Sequence, residues 1–296
     1  MSTLMATSPV ASAAPIKRLL ARHPLLAYFV LAFACSWLIT LPALLSQNGF
    51  GLLPFAVPFA PFQTLGAFGP LLAAFVVTAA ADGRAGINHL LRRIVRWRVG
   101  VGWYLLALGG YLLFDPLVGL IVPTTGAVGA FLEKWPLLFT LYLPALLTSD
   151  LLNAIGEETG WSGFALPRLQ TKFGPLLGAT ILGVVWSAWH LPAFFVVAGL
   201  GPFSPIGFVI FVLLTTFTRI LWTWVYNRTG GSVLIASLLH AASNANLFEV
   251  QKHILPPAPP EILLPVIGLY FVAIVLLIAF TRGKLGYQVA AETNAA

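Results

Sequence analysis

Polar and apolar positions alternate along this chain in blocks of about twenty residues. Long apolar runs with few charges fall near residues 25–45, 62–81, 103–121, 137–156, 175–198, 206–226, 231–248 and 262–281. About 20 apolar residues, wound as a helix, cross the hydrocarbon of a bilayer. In lipid the backbone must satisfy its own N–H and C=O groups, and a single segment does so only as a helix. The pattern therefore predicts an all-α, polytopic transmembrane bundle of about eight spans. Residues 49–61 are apolar but broken by Pro54, Pro58 and Pro61, and read as an interfacial loop. Residues 254–261 (ILPPAPPE) form a connector before the last run.

Residues 1–15 are rich in Ser and Ala and are expected to be disordered. Lys17, Arg18 and Arg22 precede a run too long for a signal-peptide core, so the first helix is expected to be retained. The organisation expected is a cytoplasmic N-terminal tail at 1–24, a transmembrane bundle at 25–281 and a cytoplasmic C-terminal tail at 282–296. No internal repeat and no separate soluble domain is visible.

Composition removes the soluble classes. Of 296 residues, 59% are hydrophobic and 8% are charged, against roughly 25% charged in ordinary soluble domains. The net charge of +7 does not point to nucleic acid, because the basic residues lie between apolar runs and not on one soluble face. With the N-terminus in the cytoplasm, thirteen of the sixteen Lys and Arg fall in inside segments. Lys134 and Lys252 fall outside, and Arg219 lies within a span. Such asymmetry orients membrane proteins, and it puts both termini inside. The expected location is a bacterial inner (plasma) membrane. Residues 87–98 (INHLLRRIVRWR) combine helical apolar spacing with interleaved arginines, as in an amphipathic helix against lipid headgroups. Cys35, the single cysteine, permits no intrachain disulfide and no cysteine-based zinc site.

The chemistry lies in ionisable residues that the spans should exclude: Asp115, Asp150, Glu157, Glu158, His190, Arg219 and His240. Three places form constellations. At the end of the fourth run stand the adjacent carboxylates Glu157 and Glu158. Such a pair can divide its work, one acid held by a partner and the other acting as a base; the plain alternative is a solvated pair at a helix end. In the fifth run His190 follows Trp186 by four residues on one helix face; alternatively it bonds a neighbouring carbonyl. In the seventh run His240 and Asn244 point the same way. They could hold an oxyanion or complete a metal shell, or simply bond between helices. A base, a second proton carrier and a pair of donors make up a hydrolase inventory.

Glu157-Glu158, then Trp186-x-x-x-His190, then His240-x-x-x-Asn244, in that order, resembles the CPBP family. These are the CAAX-prenyl-protease and bacteriocin-processing intramembrane proteases, also called type II CAAX proteases or the ABI family. Leu191-Pro192 and the stretch Tyr226 to Ser232 fit as well, and the likeness covers a CPBP-like core at about 85–250. The resemblance implies an endopeptidase that cleaves a membrane-associated peptide or protein substrate in a cavity open to the cytoplasm. By it, Glu157 and His190 activate water, Glu158 completes the acidic pair, and His240 and Asn244 stabilise the oxyanion. It leaves two courses open: zinc held by Glu157, His190 and His240, or a metal-free glutamate mechanism.

One position departs from the pattern. The family's first motif reads Glu-Glu-x-x-x-Arg, and Ser162 stands where the Arg would be. Either another cation substitutes, or activity is weakened, or the chain is a non-proteolytic binding or immunity protein on the same fold. Arg168 and Arg219 are the candidate cations, and Arg219 is expected to pair with Glu158 or Asp150. Two further rivals are a rhomboid-like serine protease, from Gly160-Trp161-Ser162-Gly163, and a small-solute transporter using Asp115, Asp150, Arg219 and a histidine.

Overall fold

Within the bilayer-length runs, apolar side chains favour the helix because every backbone group is then paired inside the segment. The computed structural model describes residues 15–257 and 259–288. It is helical throughout its regular structure, with no strand among the described residues. In chain order the helices are α1 (Pro15–Arg22), α2 (Pro24–Leu45), α3 (Phe59–Ala81), α4 (Gly83–Ile94), α5 (Val101–Ile121) and α6 (Ala127–Lys134). Then come α7 (Leu138–Phe173), α8 (Pro175–Trp189), α9 (Pro205–Arg228), α10 (Val233–Ile254) and α11 (Leu263–Thr281). Among the described residues seven of these are long and apolar enough to cross a membrane, and α8 is a shorter apolar helix. The chain is an integral membrane protein.

Three boundaries differ from the sequence pattern. The fourth span does not stop near 156. It continues as α7 to Phe173, through a widened π turn at Trp161–Ala165. The fifth does not reach 198. It ends at Trp189, where Pro192 cannot extend the hydrogen-bond ladder, and a single tight turn follows at Leu191–Phe194. Pro15–Arg22 is helical, inside the segment expected to be tail; the rest of the expected disordered segment, 1–14, lies outside the described residues, as do 289–296 of the C-terminal tail.

α10 is the most enclosed of the long helices and α11 the most exposed. α4, α5, α7 and α9 pack around α10, α3 packs against α7, and α2 covers α3. The core between them is aromatic, with Tyr28, Trp161, Phe164, Trp186, Trp222 and Tyr226 in one buried cluster. The outward surface is apolar, with Leu264 78% and Phe280 84% exposed, a surface suited to lipid and not to water. The segment read as a surface helix forms α4, whose Leu90 is buried in the same core. Arg93 of α4 donates to the Gly163 carbonyl, 3.1 Å away, and so ties this basic helix to α7.

Candidate active site

Two glycines bring α7 into the centre of the bundle. A Cβ on Gly156 would lie 2.7 Å from the Ala67 carbonyl oxygen, and one on Gly160 would lie 2.6 Å from that of Pro70. Only glycine allows α7 and α3 to touch this closely. The intervening Glu157 and Glu158 are consequently buried, Glu158 completely. They are not a solvated pair at a helix end.

Successive residues of a helix point about 100° apart, so the two acids meet different partners. Both oxygens of Glu158 accept from Arg219: Nη1 donates to Oε2 and Nη2 to Oε1, each at 2.9 Å. Ser162, one turn on, donates its hydroxyl to Oε2. Nδ1 of His240 lies 3.1 Å from Oε1. Glu158 thus receives donors from three other residues and is a fully engaged carboxylate. Arg219 is also 0% exposed, and its guanidinium lies over the rings of Trp186 (4.5 Å) and Trp222 (5.1 Å). Such stacking suits a guanidinium withdrawn from water. Of the two candidate cations, Arg219 therefore takes Glu158 and not Asp150, while Arg168 pairs with Asp82 and lies over the ring of Phe164.

Glu157 keeps more freedom. Its Oε2 accepts from Trp186 Nε1 at 2.9 Å, and it lines a cavity of about 170 Å³. His190, His240, Asn244 and Asn153 line the same cavity; Asp115 and Asp150 do not. Asp115 instead accepts from Asn246 (2.9 Å) and Gln251 (3.1 Å).

Trp186 is placed by a third close approach. A Cβ on Gly183 would lie 2.6 Å from Thr216 Cα, so α8 presses directly on α9 and sets Trp186 against Arg219. One turn later α8 ends, and His190 swings back so that its Nδ1 lies 2.8 Å from the Trp186 carbonyl oxygen. A carbonyl can only accept, so Nδ1 carries the proton. The same reasoning applies to His240, whose Nδ1 faces the carboxylate of Glu158. Both imidazoles therefore present Nε2 as the nitrogen without a protein partner among the described residues. Fixing one ring nitrogen to orient the other is a common arrangement for working histidines.

The structure gathers four of the five sequence candidates, Glu157, His190, His240 and Asn244, around one cavity. It turns the fifth, Glu158, away into the ion pair that supports His240. The central role of Trp186 was only half legible: it was read as sharing a face with His190, yet it also touches Glu157 and Arg219. Trp222 and Asn153 were missed. Trp222 follows Arg219 by three residues, and an aromatic at that spacing beside a buried cation was the available signal. Asn153 precedes Glu157 by four and so shares its face.

Ser162 lacks the partner a serine nucleophile needs. Its hydroxyl serves Glu158, and it also lies 3.3 Å from Arg219 Nη1. Among the described residues no three His, Cys, Asp or Glu side chains are grouped so as to hold a metal ion. Glu157, His190 and His240 share the cavity but are not grouped as a three-ligand centre as placed.

Residues 139–246 match a family model described as type II CAAX prenyl endopeptidase, Rce1-like. The match contains both acids, both histidines, Asn244 and Arg219. Over these residues the chain is similar to that family. A curated relative, CAAX prenyl protease 2 from Methanococcus maripaludis, is 26% identical over 134 residues. That alignment takes in 43% of this chain and 48% of the relative, so the chain matches about half the length of that protein. The matched stretch, 139–246, leaves out α2, α3 and α11.

Proposed function

We propose that the chain is an intramembrane endopeptidase of the CAAX-protease type, hydrolysing a peptide bond of a membrane-associated peptide or protein with an activated water. The observation that carries this reading is the division of labour between the adjacent acids. Glu158 is saturated by donors, whereas Glu157 holds a single protein donor among the described residues and faces the cavity with both histidines and Asn244. Glu157 takes a proton from water, whose oxygen attacks the scissile carbonyl carbon. The Nε2 lone pair of His190 orients that water. Negative charge develops on the carbonyl oxygen, where the Asn244 amide donates and His240, when protonated, donates from Nε2. When the carbon–nitrogen bond breaks, Glu157 passes its proton to the leaving amine.

The name of the Methanococcus relative makes a prenylated peptide the first substrate to try. Purified protein in detergent should cleave such a peptide, and Glu157→Gln should not. If Glu157→Gln cleaves at the parent rate, the assignment is wrong; if neither cleaves any peptide offered, a binding role on the same fold is the better reading. With donors placed as here, cleavage should survive a chelator, and loss that zinc restores would instead support the metal course. The face bearing α4, Arg168 and Arg228 is proposed to be cytoplasmic, in a bacterial inner membrane, with both termini on that side.

A further inference from the structure

α4 links the ends of two spans, α3 and α5, and the turn at Gly230 and Gly231 links the ends of two more, α9 and α10. A helix and a turn between spans lie at the headgroup level of the bilayer. Arg93 of α4 donates to the Gly163 carbonyl of α7, and just past α4 the carbonyl of Arg96 accepts from Ser232 Oγ at 2.7 Å, where α10 begins. Both guanidiniums are thereby carried to the same turn. Gly230 and Gly231 have φ of 64° and 79°. A Cβ on Gly231 would lie 3.3 Å from the Tyr226 hydroxyl oxygen and 3.7 Å from Arg93 Nε, and one on Gly230 would lie 2.9 Å from Arg96 Nη1. Two residues without side chains leave a cradle between a phenol hydroxyl and two guanidiniums.

The groups around this cradle want an anion. Tyr226 is 3% exposed, and its hydroxyl has no hydrogen-bond partner among the described residues. A buried hydroxyl left without a partner is costly. Neither Arg93 nor Arg96 has a carboxylate partner among the described residues, and Asp82 on this face is taken by Arg168. His89 of α4 is held below the usual imidazole range by partial burial and then by Arg93, Arg92, Arg96 and Arg168, a sign of the positive potential here. A phosphate group, with several acceptor oxygens, could accept from the phenol and from both guanidiniums, at the positive end of the α10 dipole. The surroundings choose its source. Leu91, Val95 and Trp97 are 44%, 65% and 61% exposed beside the arginines, an apolar frame that suits acyl chains and not water. We propose that Arg93, Arg96 and Tyr226 form a binding site for the phosphodiester of an anionic phospholipid, which bridges α4, α9 and α10. The site does not depend on the endopeptidase reading.

The test titrates the full chain, in a neutral detergent, with a short-chain phosphatidylglycerol. It is run at about 0.3 M salt, where attraction between separated charges is screened. Native mass spectrometry reads the bound lipid, and Tm reads the stabilisation. Short-chain phosphatidylcholine and inorganic phosphate are titrated in parallel. Phosphatidylglycerol should raise Tm and bind about tenfold more tightly than phosphatidylcholine, whose ammonium offsets the phosphate charge beside the guanidiniums. The double variant R93Q/R96Q should bind it about a hundredfold more weakly, from loss of a charged hydrogen bond at each arginine. R84Q/R92Q removes the same charge from exposed positions of the same helix and should lose less than about threefold. Tyr226→Phe should bind about tenfold more weakly and keep the lipid-free Tm, because its hydroxyl has no partner to lose. Equal losses in the two double variants overturn the proposal, since the attraction would then belong to the whole basic face. So does phosphatidylcholine that binds as tightly as phosphatidylglycerol. Inorganic phosphate that raises Tm as much as the lipid, at the same concentration, overturns the assignment to a lipid. If R93Q/R96Q does not fold, Tyr226→Phe decides: a tenfold loss supports the site, and parent affinity overturns it.

Discussion

Glu157 and Glu158 are neighbours in sequence and differ only in what surrounds them. Removing the base should cost the chemical step and not binding, so Glu157→Gln should lower kcat by about 10²–10⁴ with KM little changed. Ser162→Ala removes one of several donors to Glu158 and should keep a large part of the rate. A serine-nucleophile enzyme would show the reverse, with Ser162→Ala dead and Glu157→Gln active. Trp186→Phe keeps the ring against Arg219 but deletes the N–H that Glu157 accepts. Leaving a buried carboxylate oxygen short of its donor should cost about 1–3 kcal/mol of stability, read as a fall in Tm, together with a loss of rate.

At the scale of elements, three glycine contacts set the helices that carry the site. Gly156 and Gly160 bring α7 onto α3, and Gly183 brings α8 onto α9. Gly183→Val would drive its side chain into the Thr216 backbone and separate Trp186 from Arg219. The expected result is a loss of about 1–3 kcal/mol from overpacking. Activity should fall more steeply than Tm, because the site spans the very contact that opens. Gly268→Val on the exposed α11, where a Cβ meets nothing within 4 Å, should be close to neutral in the same assays.

For the whole molecule, the basic residues and the lipid-facing surface make a joint prediction. Reporter fusions at either terminus should report the cytoplasm, and a fusion near Lys134 or Lys252 should report the opposite side. A terminus found outside would invert the bundle and place the cavity on the other face. The apolar outer wall of α11, with Phe280 and Leu264 almost fully exposed, should make the purified protein depend on detergent or bilayer for solubility.

The sequence by itself determined the helical membrane architecture and the short list of candidate groups. Twenty-residue apolar runs leave the backbone no other way to satisfy itself, and ionisable residues within them stand out against that background. Even the need for a distant cation was legible, since Ser162 leaves Glu158 without charge compensation one turn away. Helix ends were less legible. Apolar periodicity fades at Glu157 although α7 continues to Phe173, because an interior lined by Arg219, His240 and Trp186 can accept polar residues in mid-helix. Which acid is the anchor and which is free was decided only in three dimensions. Both belong to one dipeptide of identical chemistry, and the roughly 100° rotation between them takes on meaning once α8, α9 and α10 have packed around α7.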